Sequence, residues 1–211
     1  MGKTIIMEHP LIEHKIAILK NRETGSKLFR ELIDELGMLM AVEVTKDLKL
    51  KVEQISTPLM DTEVKMIDGK KLILVPILRA GIGMVDGFLN MLPSAKVGHI
   101  GLYREPETLE PVEYFCKLPK DTEDREIIIL DPMLATGGSA EAAVRFVKER
   151  FNPKKISVAC IIGCPEGLNH LREKHSDIDI YIAYMDEKLN EHGYILPGLG
   201  DAGDRLFGTK Q

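Results

Sequence analysis

The fold of this chain is decided by one stretch, Ile127-Ile128-Ile129-Leu130-Asp131-Pro132-Met133-Leu134-Ala135-Thr136-Gly137-Gly138-Ser139. Its four branched apolar residues predict a buried strand that ends at an acid. A glycine loop follows, and residues 140–150 then favour a helix. Glycines let the backbone turn sharply and approach a ligand closely, and the free N–H groups at a helix start favour a phosphate. The stretch therefore predicts a strand–loop–helix unit of an α/β sheet, with an anion site at the carboxyl end of the strand.

The same unit has a plainer interpretation, in which the loop is an ordinary strand-to-helix turn and Ser139 is the N-cap of the helix. We favour a ligand site because Asp131 is placed to reach the sugar of a ligand whose phosphate lies in the loop. The hydroxyls of Thr136 and Ser139 would add donors to the phosphate oxygens. The loop is not a Walker P-loop, because no lysine follows the glycines and the G-x-x-x-x-G-K spacing is absent.

Strands and helices alternate along most of the chain, which predicts a mostly parallel sheet flanked by helices and hence an α/β fold. The predicted strands cover residues 72–77, 97–103, 127–130, 156–162 and 178–184. The predicted helices between them cover residues 83–91, 139–150 and 165–174.

We expect all 211 residues to form a single domain, with its core at about residues 70–185. Residues 1–45 and 186–211 lie outside the alternating unit and are expected to form a small hood over the strand ends. Within the first of these segments, helices are predicted at 9–20 and 26–44, and the second shows apolar residues at spacings of three and four.

Two hairpins are also predicted. Residues 104–120 are charged, bounded by prolines and then alternating, which indicates an exposed hairpin arm. This arm is either a lid over the site or a solvated loop. The second hairpin is expected at Asp68-Gly69, between the apolar runs 64–67 and 71–77.

The tail from Gly193 to Gly208 is rich in glycine, a composition that opposes helix and strand alike. Its apolar residues are too numerous for a free terminus. We therefore expect an ordered loop whose bare backbone faces a flat ligand.

Composition excludes several classes of protein. The hydrophobic share of 44% and the charged share of 29% are ordinary for a soluble globular protein. A net charge of −5 opposes a general affinity for nucleic acid. No apolar run approaches the ~18 residues of a membrane span. Three cysteines without histidine companions favour reduced thiols, so we expect a cytoplasmic location.

Arg79 follows the strand at 72–77 and opens a tight loop, where its planar guanidinium suits phosphate oxygens. This loop is not a dinucleotide site, because Asp86 stands where the fingerprint needs its third glycine. Arg104 begins the arm, where a cation would meet a polyanion on closure.

Residues 131–139 resemble the phosphoribosyl pyrophosphate loop of the phosphoribosyltransferases. That family typically carries two acids before Ala-Thr-Gly-Gly, whereas Pro132 stands here at the second position. The tail from Tyr194 to Arg205 resembles the base-recognition segment of the family members that act on uracil. The resemblance runs along nearly the whole chain. It implies transfer of the phosphoribosyl group from 5-phosphoribosyl 1-pyrophosphate to N1 of uracil, giving UMP and pyrophosphate.

The resemblance also implies the residues of the site. The catalytic set is Asp131, Arg104 and Asp201. The donor-binding set is Arg79, Arg104, Asp131, Pro132, Met133, Leu134, Ala135, Thr136, Gly137, Gly138, Ser139 and Asp201. The uracil-binding set, which would read the base mainly through backbone groups, is Ile195, Gly200, Asp201 and Ala202.

Cofactors and partners follow from the same resemblance. Because Pro132 cannot bind a metal through its side chain, Mg²⁺ is expected on the pyrophosphate and ribose oxygens of the substrate, with no metal site made by the protein alone. GTP is the implied effector. The apolar face at residues 28–40 and the arm favour a homodimer or a higher oligomer. Two other interpretations stay open: transfer to another base, such as a purine, and a nucleotide-sensing, RNA-binding regulator on the same fold.

Overall fold

The computed structural model of the chain describes residues 1–69, 72–104 and 111–209, and of Arg104 it describes the backbone. Its strands are β1 (Thr4–Ile6), β2 (Leu50–Ser56), β3 (Asp61–Ile67), β4 (Leu72–Leu78), β5 (Lys96–Val97), β6 (His99–Arg104), β7 (Pro111–Lys117), β8 (Glu126–Leu130), β9 (Met133–Leu134), β10 (Lys155–Gly163), β11 (Asp179–Met185), β12 (Lys188–Leu189) and β13 (Ile195–Leu196). Its helices are α1 (Pro10–Lys20), α2 (Ser26–Val44), α3 (Val85–Met91), α4 (Gly138–Arg150), α5 (Pro165–Lys174) and α6 (Ala202–Phe207), with a 3-10 helix at Ala80–Met84.

The main sheet runs in the order β1-β11-β10-β8-β4-β6-β7. Every pair along this path is parallel except β6 and β7, which are antiparallel. The short strands β5 and β9 add parallel pairs to β4 and β10. Helices cover both faces, so the expectation of an α/β fold with a mostly parallel sheet flanked by helices is confirmed.

Successive residues of the central strands pack into two different cores. On β4, Leu74 packs with α1, α2 and α3, while Val75 lies in the core on the opposite face, with α4 and α5. Since side chains alternate across a strand, a strand buried on both faces reads as a continuous apolar run. This is why the central strands were predictable from the sequence.

The apolar face of α2 lies inside the protein. Phe29, Leu32, Ile33 and Leu36 are all buried against the sheet and the neighbouring helices. The residues at 28–40 that favoured an oligomer therefore serve mainly the core of the single chain, and they do not support a subunit contact.

The hairpin expected at Asp68-Gly69 is wrong. The partner of β3 is β2, along their full length, and the two form a separate two-stranded ribbon. The chain reverses earlier, where the Thr57 hydroxyl oxygen accepts hydrogen bonds from the N–H groups of Leu59 and Met60. In the main sheet, β4 buries the apolar side chains of both its faces. A two-stranded ribbon with β3 would leave them exposed.

The tail holds more regular structure than its glycines predict. It contributes β13, which pairs with β12, and the helix α6. Gly203 lies within α6, whereas Gly208 ends the helix with a φ of 65°. We expected the tail to form no helix and no strand, and this expectation is wrong. Both elements can form because most of the glycines flank them.

The arm predicted at residues 104–120 contains Arg104, the last residue of β6, and the whole of β7, and these two strands form an antiparallel hairpin at the edge of the sheet. Its connection, residues 105–110, lies outside the described residues. Tyr103, Tyr114 and Phe115 of the hairpin are exposed, while an ion pair of 2.7 Å between Arg150 and Glu113 ties β7 to α4. No helix among those described is long and apolar enough to cross a membrane.

Candidate active site

Three site residues follow or end neighbouring strands of the main sheet. Asp131 comes directly after β8, Arg79 directly after β4, and Arg104 is the last residue of β6. These strands are parallel neighbours, with Pro76 opposite Leu130. The carboxyl ends of parallel strands meet at one edge, where open α/β sheets bind their ligands. The sheet therefore brings Asp131 and Arg79 to the same edge, and the Arg104 backbone lies three residues beyond Gly101, the partner of Leu78.

The loop from Ala135 to Ser139, here called the phosphate loop, turns through glycine. Gly137 has a φ of 81° and is the N-cap of α4, and its carbonyl accepts a hydrogen bond of 2.8 Å from the Glu141 N–H. Ser139 lies inside the helix, so its interpretation as the N-cap is wrong. With Asp131, the loop and the start of α4 line a small concave pocket.

The start of α5 holds the phosphate loop from behind. The Cys164 N–H donates to the Leu134 carbonyl at 3.2 Å, and the Cys164 thiol lies 3.1 Å from the Ala135 carbonyl oxygen. A Cβ on Gly167 would stand 2.3 Å from that same oxygen. Because C=O and N–H point in opposite directions across a trans peptide, carbonyls turned toward α5 leave the following N–H groups pointing away from it.

Asp131 is a carboxyl group with a shifted proton affinity. Its removal from water raises the pKa from 3.8 to about 7, and the hydrogen bond from the Met133 N–H opposes that rise. This bond is long, at 3.4 Å to Oδ1. Perturbed acids of this kind cluster at functional sites.

Arg79 presents its guanidinium to solvent beside the tail. The side chain is 60% exposed, with Nη2 3.9 Å from Oδ1 of Asp204 and Cζ 6.0 Å from the centre of the Phe207 ring. The loop behind it is tightly packed, since a Cβ on Gly81 would stand 2.3 Å from the Leu130 carbonyl oxygen. The peptide bond between Leu78 and Arg79 is cis.

The tail spans the distance from the phosphate loop to the Arg79 loop. A Cβ on Gly193 would lie 3.5 Å from Cγ2 of Thr136, and one on Gly203 would lie 3.8 Å from the Ala80 Cβ. Asp201 is exposed and caps α6, where its Oδ1 accepts a hydrogen bond of 2.8 Å from the Asp204 N–H. The tail thus borders both ends of the donor-binding set.

The residues proposed to bind uracil differ in the burial and hydrogen bonding of their backbone groups. Ile195 is buried and pairs with Leu189. The Asp201 carbonyl accepts the Arg205 N–H at 3.0 Å and so belongs to the start of α6. Gly200 has a φ of 79°, and the N–H of Ala202 is in the first turn of α6, where N–H groups have no partner within the helix. Gly200 is exposed, whereas Ala202 is buried like Ile195, so the Gly200 backbone is the most accessible of the four.

The sequence did not reveal the role of Arg205, whose side chain binds the tail to the segment that follows α1 and to the end of α1. Arg205 donates from Nη1 to the carbonyls of Leu19 and Leu199, at 2.6 and 2.9 Å, and from Nη2 to that of Asn21, at 2.7 Å. Its Cζ also lies 4.4 Å from the centre of the Phe29 ring. An arginine in an apolar, glycine-rich segment was the available hint, but its partners are far away along the chain.

No group of three or more His, Cys, Asp or Glu residues that could hold a metal occurs within residues 1–69, 72–104 and 111–209. Asp131 is a single carboxylate in the lining of the pocket, and Asp201 is a single exposed carboxylate at the start of α6. Such a donor set suits a Mg²⁺ ion that keeps waters and is held chiefly by substrate oxygens.

Sequence comparisons with known proteins point to one family. A sequence model of the family described as uracil phosphoribosyltransferase matches residues 6–209. The chain is 61% identical to the uracil phosphoribosyltransferase of Finegoldia magna over 210 residues, which is 100% of both chains. It is 60% identical to that of Clostridium beijerinckii, again over 100% of both.

Solved structures share the fold of this chain. A protein of Aquifex aeolicus has a TM-score of 0.92 and 38% identity, over 98% of this chain and 99% of that one. The adenine phosphoribosyltransferase of Trypanosoma brucei, at 13% identity and a TM-score of 0.59 over 88% of this chain and 84% of that one, shares the fold. With a family model along almost its full length and relatives at about three-fifths identity, the chain belongs to the uracil phosphoribosyltransferase family.

Proposed function

We propose that the chain transfers the phosphoribosyl group from 5-phosphoribosyl 1-pyrophosphate to N1 of uracil, releasing pyrophosphate and forming UMP. The observation that carries this proposal is the pocket of Asp131 and the phosphate loop, which opens at the same sheet edge as Arg79. The full-length relatives named uracil phosphoribosyltransferase support the choice of reaction and of base.

On the donor side, the 5-phosphate would lie on residues 135–139, where backbone N–H groups and hydroxyls converge. The ribose hydroxyls would meet Asp131 at the mouth of the pocket. The pyrophosphate would meet Arg79 and Arg104, whose positions end the two adjacent strands. Pro132, Met133 and Leu134 form the connection between sugar and phosphate subsites.

Catalysis would come chiefly from positioning and charge. An ionised Asp131 near the sugar favours the oxocarbenium-like charge that develops as pyrophosphate leaves. Asp201, the exposed carboxylate that caps α6, would bind the water shell of a substrate-bound Mg²⁺. When bound, Mg²⁺ would neutralise the charge of the leaving pyrophosphate. The β6–β7 arm would close over the donor and exclude water, which protects the activated sugar from hydrolysis.

On the base side, uracil presents an N3–H donor between two carbonyl acceptors. The backbones of Ile195, Gly200 and Ala202, with Asp201 between the last two, would match that edge. Cytosine reverses the pattern at N3 and C4, and each buried group left unpaired costs about 1–3 kcal/mol. Two such mismatches predict roughly 30-fold to 10⁴-fold preference for uracil.

The experiment is pyrophosphate release from 5-phosphoribosyl 1-pyrophosphate with uracil, cytosine and hypoxanthine under one set of conditions, with and without GTP. Turnover with uracil alone supports the proposal, and stimulation by GTP would support it as an effector. Equal rates with cytosine, or a preference for hypoxanthine, would contradict the assignment of the tail.

We further infer a homo-oligomer, on evidence other than the α2 face. The β2–β3 ribbon carries apolar side chains into solvent, and these residues are Leu50, Val52, Leu59, Met60, Met66 and Ile67. Exposed apolar clusters of this kind mark interaction sites. Cys116, Cys160 and Cys164 are free thiols, which supports a reducing compartment such as the cytosol.

A further inference from the structure

Asp186 is a buried carboxylate that the proposed mechanism does not use. It follows β11 directly and is 5% exposed. Its Oδ1 accepts from Lys20 Nζ at 2.5 Å, and its Oδ2 accepts from the Gly198 N–H at 2.9 Å. One oxygen is therefore held by the last residue of α1, and the other holds the tail.

The hydrogen bond to Gly198 fixes a tight turn. Gly198 has a φ of 65°, and a Cβ at this position would stand 2.0 Å from the Ile195 carbonyl oxygen. The turn thus folds back onto Ile195 on one side and leads to Gly200 on the other. These are two of the residues whose backbones are proposed to read the base.

Lys20 completes the arrangement by compensating the buried charge. Its Nζ also lies 4.2 Å from the centre of the Tyr184 ring, which fixes the ammonium from a second side. Removing one partner of a buried ion pair is costly because the other charge is left uncompensated. The pair is therefore a rigid link from α1 through Asp186 to the turn in the tail.

We propose that Asp186 is a positioning residue for base recognition, holding the Gly198 turn so that the backbones of Ile195 and Gly200 face the base. The inference rests on the proposed transfer to uracil. It assigns no contact between Asp186 and substrate, so its loss should weaken the base side of the reaction and spare the donor side.

The same strand supplies a matched control. Asp179, the first residue of β11, is 6% exposed. It accepts from Lys155 Nζ at 2.7 Å and from the Lys3 backbone N–H at 2.7 Å. Asp179 and Asp186 are thus both buried and each binds one lysine and one backbone N–H, but they lie at opposite ends of β11. Only Asp186 lies at the end that carries the site.

The experiment compares Asp186→Asn with Asp179→Asn, measuring KM for uracil, KM for the donor and Tm in each. An amide oxygen accepts more weakly than a carboxylate, so Asp186→Asn should raise KM for uracil about fivefold to tenfold. Its KM for the donor should stay within about twofold of wild type, as should both KM values in Asp179→Asn. Both variants should lose Tm to a similar extent, because each weakens a buried ion pair.

A second readout is independent of turnover. Without substrate, the Gly198 amide should exchange its hydrogen about tenfold faster in Asp186→Asn, and at the wild-type rate in Asp179→Asn. If Asp186→Asn does not fold, Lys20→Met removes the counter-charge and should shift the uracil KM in the same direction, with Lys20→Arg restoring it.

Equal changes in both KM values, or an unchanged uracil KM with faster Gly198 exchange, would overturn the positioning role. Absence of turnover by the wild type with uracil would instead contradict the proposed function. In that case the KM split is measured with whichever base the wild type accepts, and the amide exchange still decides whether Asp186 holds the turn.

Discussion

The phosphate loop and the tail are the two halves of the candidate site, and they are encoded in different ways. The phosphate loop arises from consecutive residues between β8 and α4, with α5 as its brace. The tail takes its shape from partners more than 160 residues away, since Asp186 binds Lys20 and Arg205 binds Leu19. A local site can be recognised in the sequence, whereas a site built from distant contacts needs the folded chain. The two halves should therefore respond to different substitutions.

The largest effect is expected at the phosphate loop. Asp131→Asn removes charge near the developing cation and keeps the shape, so kcat should fall on the order of 10²- to 10³-fold. Steady-state kinetics with both substrates measure the change. The control is Asp124→Asn, at an exposed position two residues before β8, and its kcat should match that of the wild type. Turnover of Asp131→Asn within about threefold of wild type would remove Asp131 from the mechanism.

Gly167→Ala should impair the phosphate loop and leave the function of the tail unchanged. The added Cβ would stand 2.3 Å from the Ala135 carbonyl oxygen, so α5 and the phosphate loop must move relative to each other. Misplacement on the order of 1 Å costs about 10²-fold in rate, and we expect that loss in kcat/KM for the donor, with the preference for uracil over cytosine retained. Gly25→Ala, where a Cβ meets nothing within 4 Å, is the control. A loss of base preference would show that loop and tail are one unit.

Arg79 lies where the halves meet, because its guanidinium faces Asp204 of the tail. Arg79→Ala should still weaken donor binding more than uracil binding. A charge-assisted hydrogen bond contributes roughly 1.5–3 kcal/mol, which corresponds to about 10- to 100-fold in apparent donor affinity. Arg145→Ala on α4 serves as the control. A larger fall in uracil affinity would reassign Arg79 to the base side.

The smallest effect concerns stability. Folding raises the pKa of Asp131 from 3.8 to about 7, so the folded chain binds this proton more tightly than the unfolded chain. Stability from this group is therefore present below about pH 4 and is lost as pH rises to 7. Without substrate, Asp131→Asn should have a Tm a few degrees above wild type at pH 8, and the gap should close toward pH 4. A Tm below wild type at pH 8 would contradict this account.

Much of the fold was predictable because many of its helices and strands are marked by local sequence features. The helix predicted at 26–44 is α2, and that at 165–174 is α5, since an apolar stripe or a proline at the first turn marks them. The sequence did not predict β1, whose three residues gain their strand conformation by pairing with β11. The pairing of β3 with β2 was misread for a related reason: a favourable turn sequence does not decide which strand is the partner.

The candidate site follows the same rule. Asp131 and Arg79 could be proposed from the sequence because each follows a predicted strand, whereas Arg104 was proposed from its place at the start of the arm and from the resemblance. Arg205 and Asp186 were missed, because nothing near them in sequence reveals their partners. Gly167 and Cys164 were missed because their role depends on how α5 meets the loop. Local chemistry was therefore visible from the sequence, and the residues that hold it in place were not.

The hydrogen bonds of Arg205 to carbonyls near the start of the chain determine when, during translation, the tail can be fixed in place. The carbonyl of Asn21 that Arg205 binds is made 184 residues earlier. At translation rates of ~5–20 residues per second, that carbonyl waits roughly 10–40 s for its partner. The phosphate loop, in contrast, is complete as soon as α4 and α5 have emerged from the ribosome. The nascent chain therefore completes the phosphate loop before Arg205 can fasten the tail, so the tail is the last part of the candidate site to form.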